Sequence, residues 1–219
     1  MTPSPPGGAP PETTAADYHY SDPGLGYAHA YLLPELRHLM TRLADPADPV
    51  FEIGTGNGAV ANEMFGMGYA VTGIETSTNG VAVAAASYPD VRIEQGSGYD
   101  DLAAKYGTFA TVYSLEVIEH VYAPRLFLKR CFDLLRPGGW LILSTPYHGY
   151  LKNLVLALTG KMDDHFNVLT DNGHIKFWSP KTLGAVLAET GFTNIEFSRV
   201  GRLPPVASSM FAVAQRPPA

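Results

Sequence analysis

A single cysteine, Cys131, stands in a chain of 219 residues. It excludes an internal disulfide and any metal site built from several thiolates; in a helical pattern a lone cysteine reads as a small core residue. Long apolar runs are missing as well. The longest, residues 150–158, has about half the length a bilayer-spanning helix needs, and Lys152 and Asn153 interrupt it. Positive charge is scarce: 15 Lys and Arg stand against 21 Asp and Glu, a formal net charge of -6. Non-specific binding to nucleic acid needs a basic surface, so a nucleic-acid partner is not expected. Residues 1–11 contain neither a basic residue nor an apolar stretch. No secretory leader is read there, and a cytoplasmic location is expected. No internal repeat is visible, and no pattern bears on oligomeric state.

What is present suffices for one packed domain, since nearly half of the residues are apolar and few are charged. Residues 1–16, rich in Pro, Gly and Thr, read as a disordered tail ahead of a single domain over 17–219. Residues 27–43 carry Tyr31, Leu32, Leu36, Leu39 and Leu43 at helical spacing, with Pro34 predicting a kink or break. Apolar runs at 50–53, 70–74, 91–95, 109–114 and 140–144 read as strands. Helical patterns at 59–66, 79–87, 100–105 and 124–135 alternate with them. That rhythm predicts a doubly wound, Rossmann-like, mostly parallel sheet with helices on both faces. Residues 135–139, Leu-Arg-Pro-Gly-Gly, read as a helix stop and turn before the fifth strand.

Residues 147–177 break the rhythm with a short apolar helix, a polar stretch and three histidines, His148, His165 and His174. This reads as an insertion over the active face. A helix follows from Ser179, with Pro180 at its first position, to about Thr190. Strands at 195–200 and 208–214 then predict an antiparallel hairpin at the sheet edge.

The most informative stretch is Val50-Phe51-Glu52-Ile53-Gly54-Thr55-Gly56-Asn57-Gly58. A buried strand ending in a glycine-rich turn before a helix is a nucleoside-binding half-fold. The glycines let the backbone approach a ligand that a Cβ would meet. Glu75 ends the next apolar run, roughly the twenty residues on at which a ribose-binding carboxylate stands. Gly54, Gly56 and Ala59 also satisfy a dinucleotide fingerprint. Against that, the acid Glu52 inside the first strand suits a ligand ammonium better than a pyrophosphate.

With these features the chain resembles the class I S-adenosylmethionine-dependent methyltransferases over about residues 17–214. Residues 50–58 look like the family's first motif, Ile74-Glu75 like its acidic second motif, and 135–139 like its turn before strand five. The resemblance implies seven strands, one of them antiparallel, with N-terminal lid helices and adenosylmethionine across the carboxyl ends of strands one, two and four. It implies Glu75 on the ribose hydroxyls, Gly54, Gly56 and Gly58 along the methionine and ribose, Glu52 toward the ammonium, and Leu115 against the adenosine. Ser97 stands where many members place an Asp for the adenine amine, a departure from the pattern.

After the fourth strand, Glu116, Glu119 and His120 stand at i, i+3 and i+4, one face of a helical turn. Two carboxylates and an imidazole there, with a fourth ligand from the insertion, His174 ahead of His148 and His165, can hold a divalent cation such as Mg. The other reading is a turn that positions the acceptor without metal. This segment, with His174-Ile175-Lys176-Phe177 and Ser179-Pro180-Lys181, resembles the ubiquinone-type O-methyltransferases; small-RNA 3′-end methyltransferases share a comparable arrangement. A phenol titrates near 10, so a base or metal must help at neutral pH. His148, His120 and His174 are the catalytic candidates, with His29 if its helix closes over the site. Tyr18, Tyr20, Tyr147, Phe166, Phe177 and Trp178 are candidates for the acceptor pocket. The expected function is adenosylmethionine-dependent O-methylation of a small molecule. An NAD-dependent oxidoreductase and an RNA 3′-end methyltransferase are the alternatives.

Overall fold

Continuous apolar runs such as residues 50–53 and 109–115 bury both faces of a strand, as central parallel strands require. In the computed structural model, which describes residues 18–166, 169 and 173–219, they lie at the middle of one seven-stranded sheet. The strands are β1 (Val50–Ile53), β2 (Val71–Glu75), β3 (Arg92–Gln95), β4 (Phe109–Leu115), β5 (Leu135–Pro146), β6 (Thr193–Val200) and β7 (Ser209–Gln215). Their order is β3-β2-β1-β4-β5-β7-β6. All pairings are parallel except those of β7, which runs antiparallel to both β5 and β6. The chain leaves β1 toward β3 on one side and returns to β4 on the other. The crevice between β1 and β4 is therefore the topological switch point where open α/β sheets bind ligands.

The helices are α1 (His29–Leu43), α2 (Ala59–Gly66), α3 (Thr78–Ser87), α4 (Leu102–Tyr106), α5 (Pro124–Leu134), α6 (Tyr150–Leu158), α7 (Met162–His165) and α8 (Pro180–Thr190). They cover both faces. One core layer joins Phe127, Leu128 and Cys131 of α5 and Leu183 and Leu187 of α8 to Phe51 and Val112. The opposite layer joins Leu32, Leu36 and Met40 of α1 and Met64 of α2 to Val50, Tyr113 and Phe211. Each such side chain contributes about 1.5–3 kcal/mol on burial. Cys131 is the expected core residue.

Three local readings change. α1 runs unbroken through Pro34, which costs it one backbone bond; the buried Leu32, Leu33, Leu36 and Leu39 anchor it in the core. β5 begins at Leu135, not Trp140. The glycines at 138 and 139 sit at a register shift between Phe109 and Thr111 of β4, so the expected turn is an irregularity inside the ladder. Glu116 leaves β4 with φ +54, so no helical turn starts there. By contrast α8 starts as its sequence says: Ser179 and Thr182 form a capping box with Pro180 in the first turn, and Gly191 closes it at φ +106. The tail at 1–16 lies outside the described residues, as do residues 167, 168 and 170–172 of the insertion.

Candidate cofactor and acceptor site

The glycine turn lies at the carboxyl end of β1. Gly54, Gly56 and Gly58 all have positive φ, at +82, +57 and +83, which L side chains rarely adopt. Gly54 and Thr55 donate to the carbonyl of Ile74, closing the turn on β2. Glu75 accepts from the Gly56 N–H at 2.7 Å, the Ser77 N–H at 2.9 Å and the Thr76 hydroxyl at 3.2 Å. Ser77 then caps α3 by accepting from the Gly80 N–H. Glu52, buried beneath the turn, has one hydrogen bond, from the Tyr113 hydroxyl at 3.2 Å. Burial pushes its carboxyl up to about 8; the Glu75 charge adds to this and the Tyr113 bond opposes it. A buried acid with a single donor fits a ligand ammonium.

Extended residues 18–24 lie across this turn. The Ser77 hydroxyl donates to Tyr18 O, the Tyr20 N–H donates to Asn79, Asn57 donates to Asp22 O and Gly24 O, and Tyr88 donates to Pro23 O. A Cβ on Gly56 or Gly80 would come within about 3 Å of the Tyr20 ring. Burial, with the charges of Glu75 and Glu52, pushes the Tyr20 hydroxyl up. Tyr20 therefore packs on the glycine turn at the end of β1. Leu115 is buried at the end of β4, and the next side chain but one, Val117, abuts Gly54. Ser97 turns inward locally: its N–H donates to Asp100 and its hydroxyl accepts from the Tyr99 N–H.

The second half of the site is built on the ends of β4 and β5. The Glu116 N–H donates to Ser144, and its carboxylate accepts from the hydroxyls of Ser144 at 2.7 Å and Ser209 at 3.3 Å. Burial pushes Glu116 up to about 7 against those bonds and the Lys152 charge. Glu119 has no exposure, and neither carboxylate oxygen has a hydrogen bond of good geometry among the described residues, although the Thr145 hydroxyl is near enough to oppose its pKa shift slightly. Burial first, then the Glu116 charge, holds it well above the carboxylate range. The Glu119 carbonyl accepts from the Ile175 and Lys176 N–H groups, and Trp178 Nε1 donates to Ile118 O. These bonds tie the end of the insertion to the turn and deliver His174. Its Nε2 lies 4.0 Å from Glu119 Oε1, and its ring packs edge-on against His120 at 4.9 Å.

Ligand atoms of Glu119, His120 and His174 all lie within 4.8 Å of one another. Three of the four expected metal ligands thus converge. Glu116 sits beside them with its carboxylate held by the two serines.

His148 is buried after β5, with its N–H on Trp178 O and its ring among His165, Phe166 and Phe177. Neither ring nitrogen has a hydrogen bond of good geometry, although Asn153 is near enough to raise its pKa slightly. Burial, then the Lys152 charge, lowers His148 to about 4; burial and His120 lower His174 to about 4. Both are therefore neutral at neutral pH. His29 stands at the head of α1 with a buried, unpartnered Nδ1. Sequence reasoning missed Lys152, Ser144, Ser209 and the Tyr20 strap. Lys152, four residues after His148, was the one available signal: a charge inside an apolar helix.

This sheet order, with a glycine turn on β1 and an acid ending β2, defines an open α/β nucleoside-binding fold of the methyltransferase type. The chain belongs to the S-adenosylmethionine-dependent methyltransferases: a family model described as a methyltransferase domain matches residues 27–197. A ubiquinone biosynthesis O-methyltransferase of Thiobacillus denitrificans is 32% identical over 170 residues, 74% of this chain and 72% of that protein. A protein of the same description from Albidiferax ferrireducens is 33% identical over 116 residues, 51% of this chain and 46% of its own length. In fold, the chain is similar to an S-adenosylmethionine-dependent methyltransferase from Mesorhizobium loti. The TM-score is 0.66 at 18% identity, covering 87% of this chain and 99% of the other. Human N-acetylserotonin methyltransferase, solved with its cofactor, gives a TM-score of 0.60 at 16% identity, covering 84% of this chain and 52% of that one. The dinucleotide alternative is set aside by the family. No helix among the described residues is long and apolar enough to cross a membrane.

Proposed function

We propose that the enzyme methylates a hydroxyl oxygen of a small-molecule acceptor, with a divalent cation held by Glu119, His120 and His174. The observation that carries this reading is Glu119: a fully buried carboxyl beside two imidazoles, with no hydrogen bond of good geometry to either oxygen among the described residues. A buried acid without partners is costly, and a cation is the ligand that two imidazoles and a carboxylate suit. Curated relatives described as ubiquinone biosynthesis O-methyltransferases support the choice of oxygen over nitrogen.

On this reading the positive-φ turn at Gly54, Gly56 and Gly58 sets the backbone along which the cofactor lies, Glu75 meets its ribose and Glu52 its ammonium. Ser97 and Leu115 flank the adenosine. The bound cofactor supplies an electrophilic sulfonium methyl, so the protein's task is alignment and exclusion of water. A bound cation would lower the pKa of an acceptor hydroxyl. His148, neutral and unpartnered, stands ready to take the hydroxyl proton on a ring nitrogen. As the oxygen–methyl bond forms, the electrons of the broken carbon–sulfur bond return to sulfur. Phe166 and Phe177 pack on the His148 ring.

The test is direct titration with Mn(II), followed by electron paramagnetic resonance. The wild type is expected to bind one ion tightly and Glu119→Gln to lose that site. A wild type that binds no Mn(II) and whose activity survives chelation would remove the cation from the proposal. Methyl transfer to RNA 3′ ends but to no small catechol would overturn the acceptor class.

A further inference from the structure

An amphipathic helix buries its apolar face; α6 does the reverse. Tyr150, Leu151, Leu154, Val155 and Leu158 are exposed, and the one buried residue of the helix is Lys152. Among the described residues its Nζ makes one hydrogen bond, to Ser208 O at 3.2 Å. An ammonium has three donors, so a lone carbonyl at that distance leaves most of its capacity unspent. The acid whose charge reaches it, Glu116, lies beyond ion-pair distance and is already engaged by Ser144 and Ser209. Arg202 adds a second positive charge from the same side. Next to Lys152 in the chain, Asn153 Oδ1 is buried, and one turn back lies the ring of His148; among the described residues the two approach each other, but neither has a hydrogen bond of good geometry. A buried ammonium with one carbonyl partner and no carboxylate within ion-pair distance among the described residues is half of an ion pair.

We infer that Lys152 is a specificity-determining residue that binds an anionic oxygen of the acceptor. The acceptor then carries an acidic group, either a ring carboxylate or an ionised hydroxyl beside the one methylated. This deepens the hydroxyl-acceptor reading above and rests on it for the pocket, but not on the cation. α6 can afford to turn its apolar side outward because its inward side is reserved for this contact. The Ser208 carbonyl holds the ammonium in place between ligands, and Arg202 raises the local potential for an anion.

The experiment measures binding in the presence of S-adenosylhomocysteine and a chelator, by calorimetry. Three catechols serve as probes: plain catechol, 3,4-dihydroxybenzoate, and 4-nitrocatechol, whose ring hydroxyl is acidic. A charge-assisted contact predicts that one of the two acidic probes binds about tenfold or more tighter than catechol. A margin for the benzoate assigns a carboxylate; a margin for nitrocatechol alone assigns a phenolate. Lys152→Met is expected to erase the margin while leaving S-adenosylhomocysteine affinity and the melting temperature at or above wild type. Lys152→Arg is expected to restore part of it. In turnover the margin should appear in KM rather than kcat. No margin in the wild type, including no binding by any probe at millimolar concentration, overturns the inference, as does a margin that survives in Lys152→Met. Binding with the expected margin but no methylated product would instead count against O-methylation and leave the Lys152 contact standing.

Discussion

At the ends of β1 and β2 the chain answers most of its own polar groups, the Thr55 hydroxyl and Glu52 excepted. Glu75 takes three donors, Ser77 caps α3, and Tyr20 packs on the glycines at 56 and 80. At the ends of β4 and β5 the opposite holds among the described residues: the Glu119 carboxyl and the His148 ring have no hydrogen bond of good geometry, and Lys152 has a single carbonyl. Buried polar groups are normally paired. The first region therefore holds its shape without a ligand, and the second carries a debt of hydrogen bonds that a ligand must settle. The two should respond to mutation in opposite ways, because a self-satisfied network stabilises the fold and an unsatisfied one strains it.

The largest effect is expected at Glu119. Glu119→Gln should lower turnover by about a hundredfold or more, since even residues that only orient metal ligands cost 10–100-fold. Its melting temperature should match or exceed the wild type, because a buried carboxyl with no partner is replaced by a neutral amide of the same shape. Paired thermal melts and initial rates check this. A variant that loses activity and stability together would mean that Glu119 is structural, and the contrast between the two regions would fail.

Glu75→Ala should behave in the other manner, with a smaller effect on activity. It strands the Gly56 and Ser77 N–H groups, so stability should fall by about 1–3 kcal/mol. Cofactor affinity should fall about tenfold or more as the ribose loses its acceptor. Calorimetry with S-adenosylhomocysteine and urea denaturation measure the two losses. Unchanged affinity would remove Glu75 from the cofactor site.

The same contrast explains how much could be read from the sequence. The cofactor turn was legible because its determinants are local: glycines at positive φ, an acid in each of two neighbouring strands, and the apolar runs between them. The capped start of α8 was legible for the same reason. The acceptor side depends on contacts distant in sequence. Glu116 was expected to share a face with Glu119 and His120, but nothing in the sequence marks a glutamate at φ +54, and Ser144 and Ser209 claim its carboxylate. His174 was correctly placed near Glu119, yet the bonds that bring it there run from its neighbours Ile175 and Lys176 to a backbone carbonyl. Lys152 was read as a break in an apolar run, because periodicity assigns the apolar face inward and α6 inverts that rule. Tyr20 was read as a candidate for the acceptor pocket and lies against the glycine turn; no local pattern tells an extended segment which loop it crosses.

Glu52 provides the finest test, because it is the one acid of the cofactor half with a single partner. Its folded pKa of about 8 lies above the ordinary 4.5. A raised carboxyl contributes stability in its protonated form, present below the unfolded pKa and lost as pH rises through the folded one. Between about pH 4.5 and 8 the wild type should therefore lose stability relative to Glu52→Gln, and melts across that range would show the two curves converging toward low pH. Cofactor binding should run the other way. The ammonium favours ionised Glu52, so affinity should rise with pH up to about 8, by about threefold per unit, because a neutral carboxyl still accepts a weaker hydrogen bond. Binding at pH 7 should then release a proton, which calorimetry in buffers of different ionisation enthalpy detects. If Glu52→Gln keeps the same pH dependence and the same proton release, the ammonium is held elsewhere. Glu52 would then join Glu75 as a group the fold satisfies for itself.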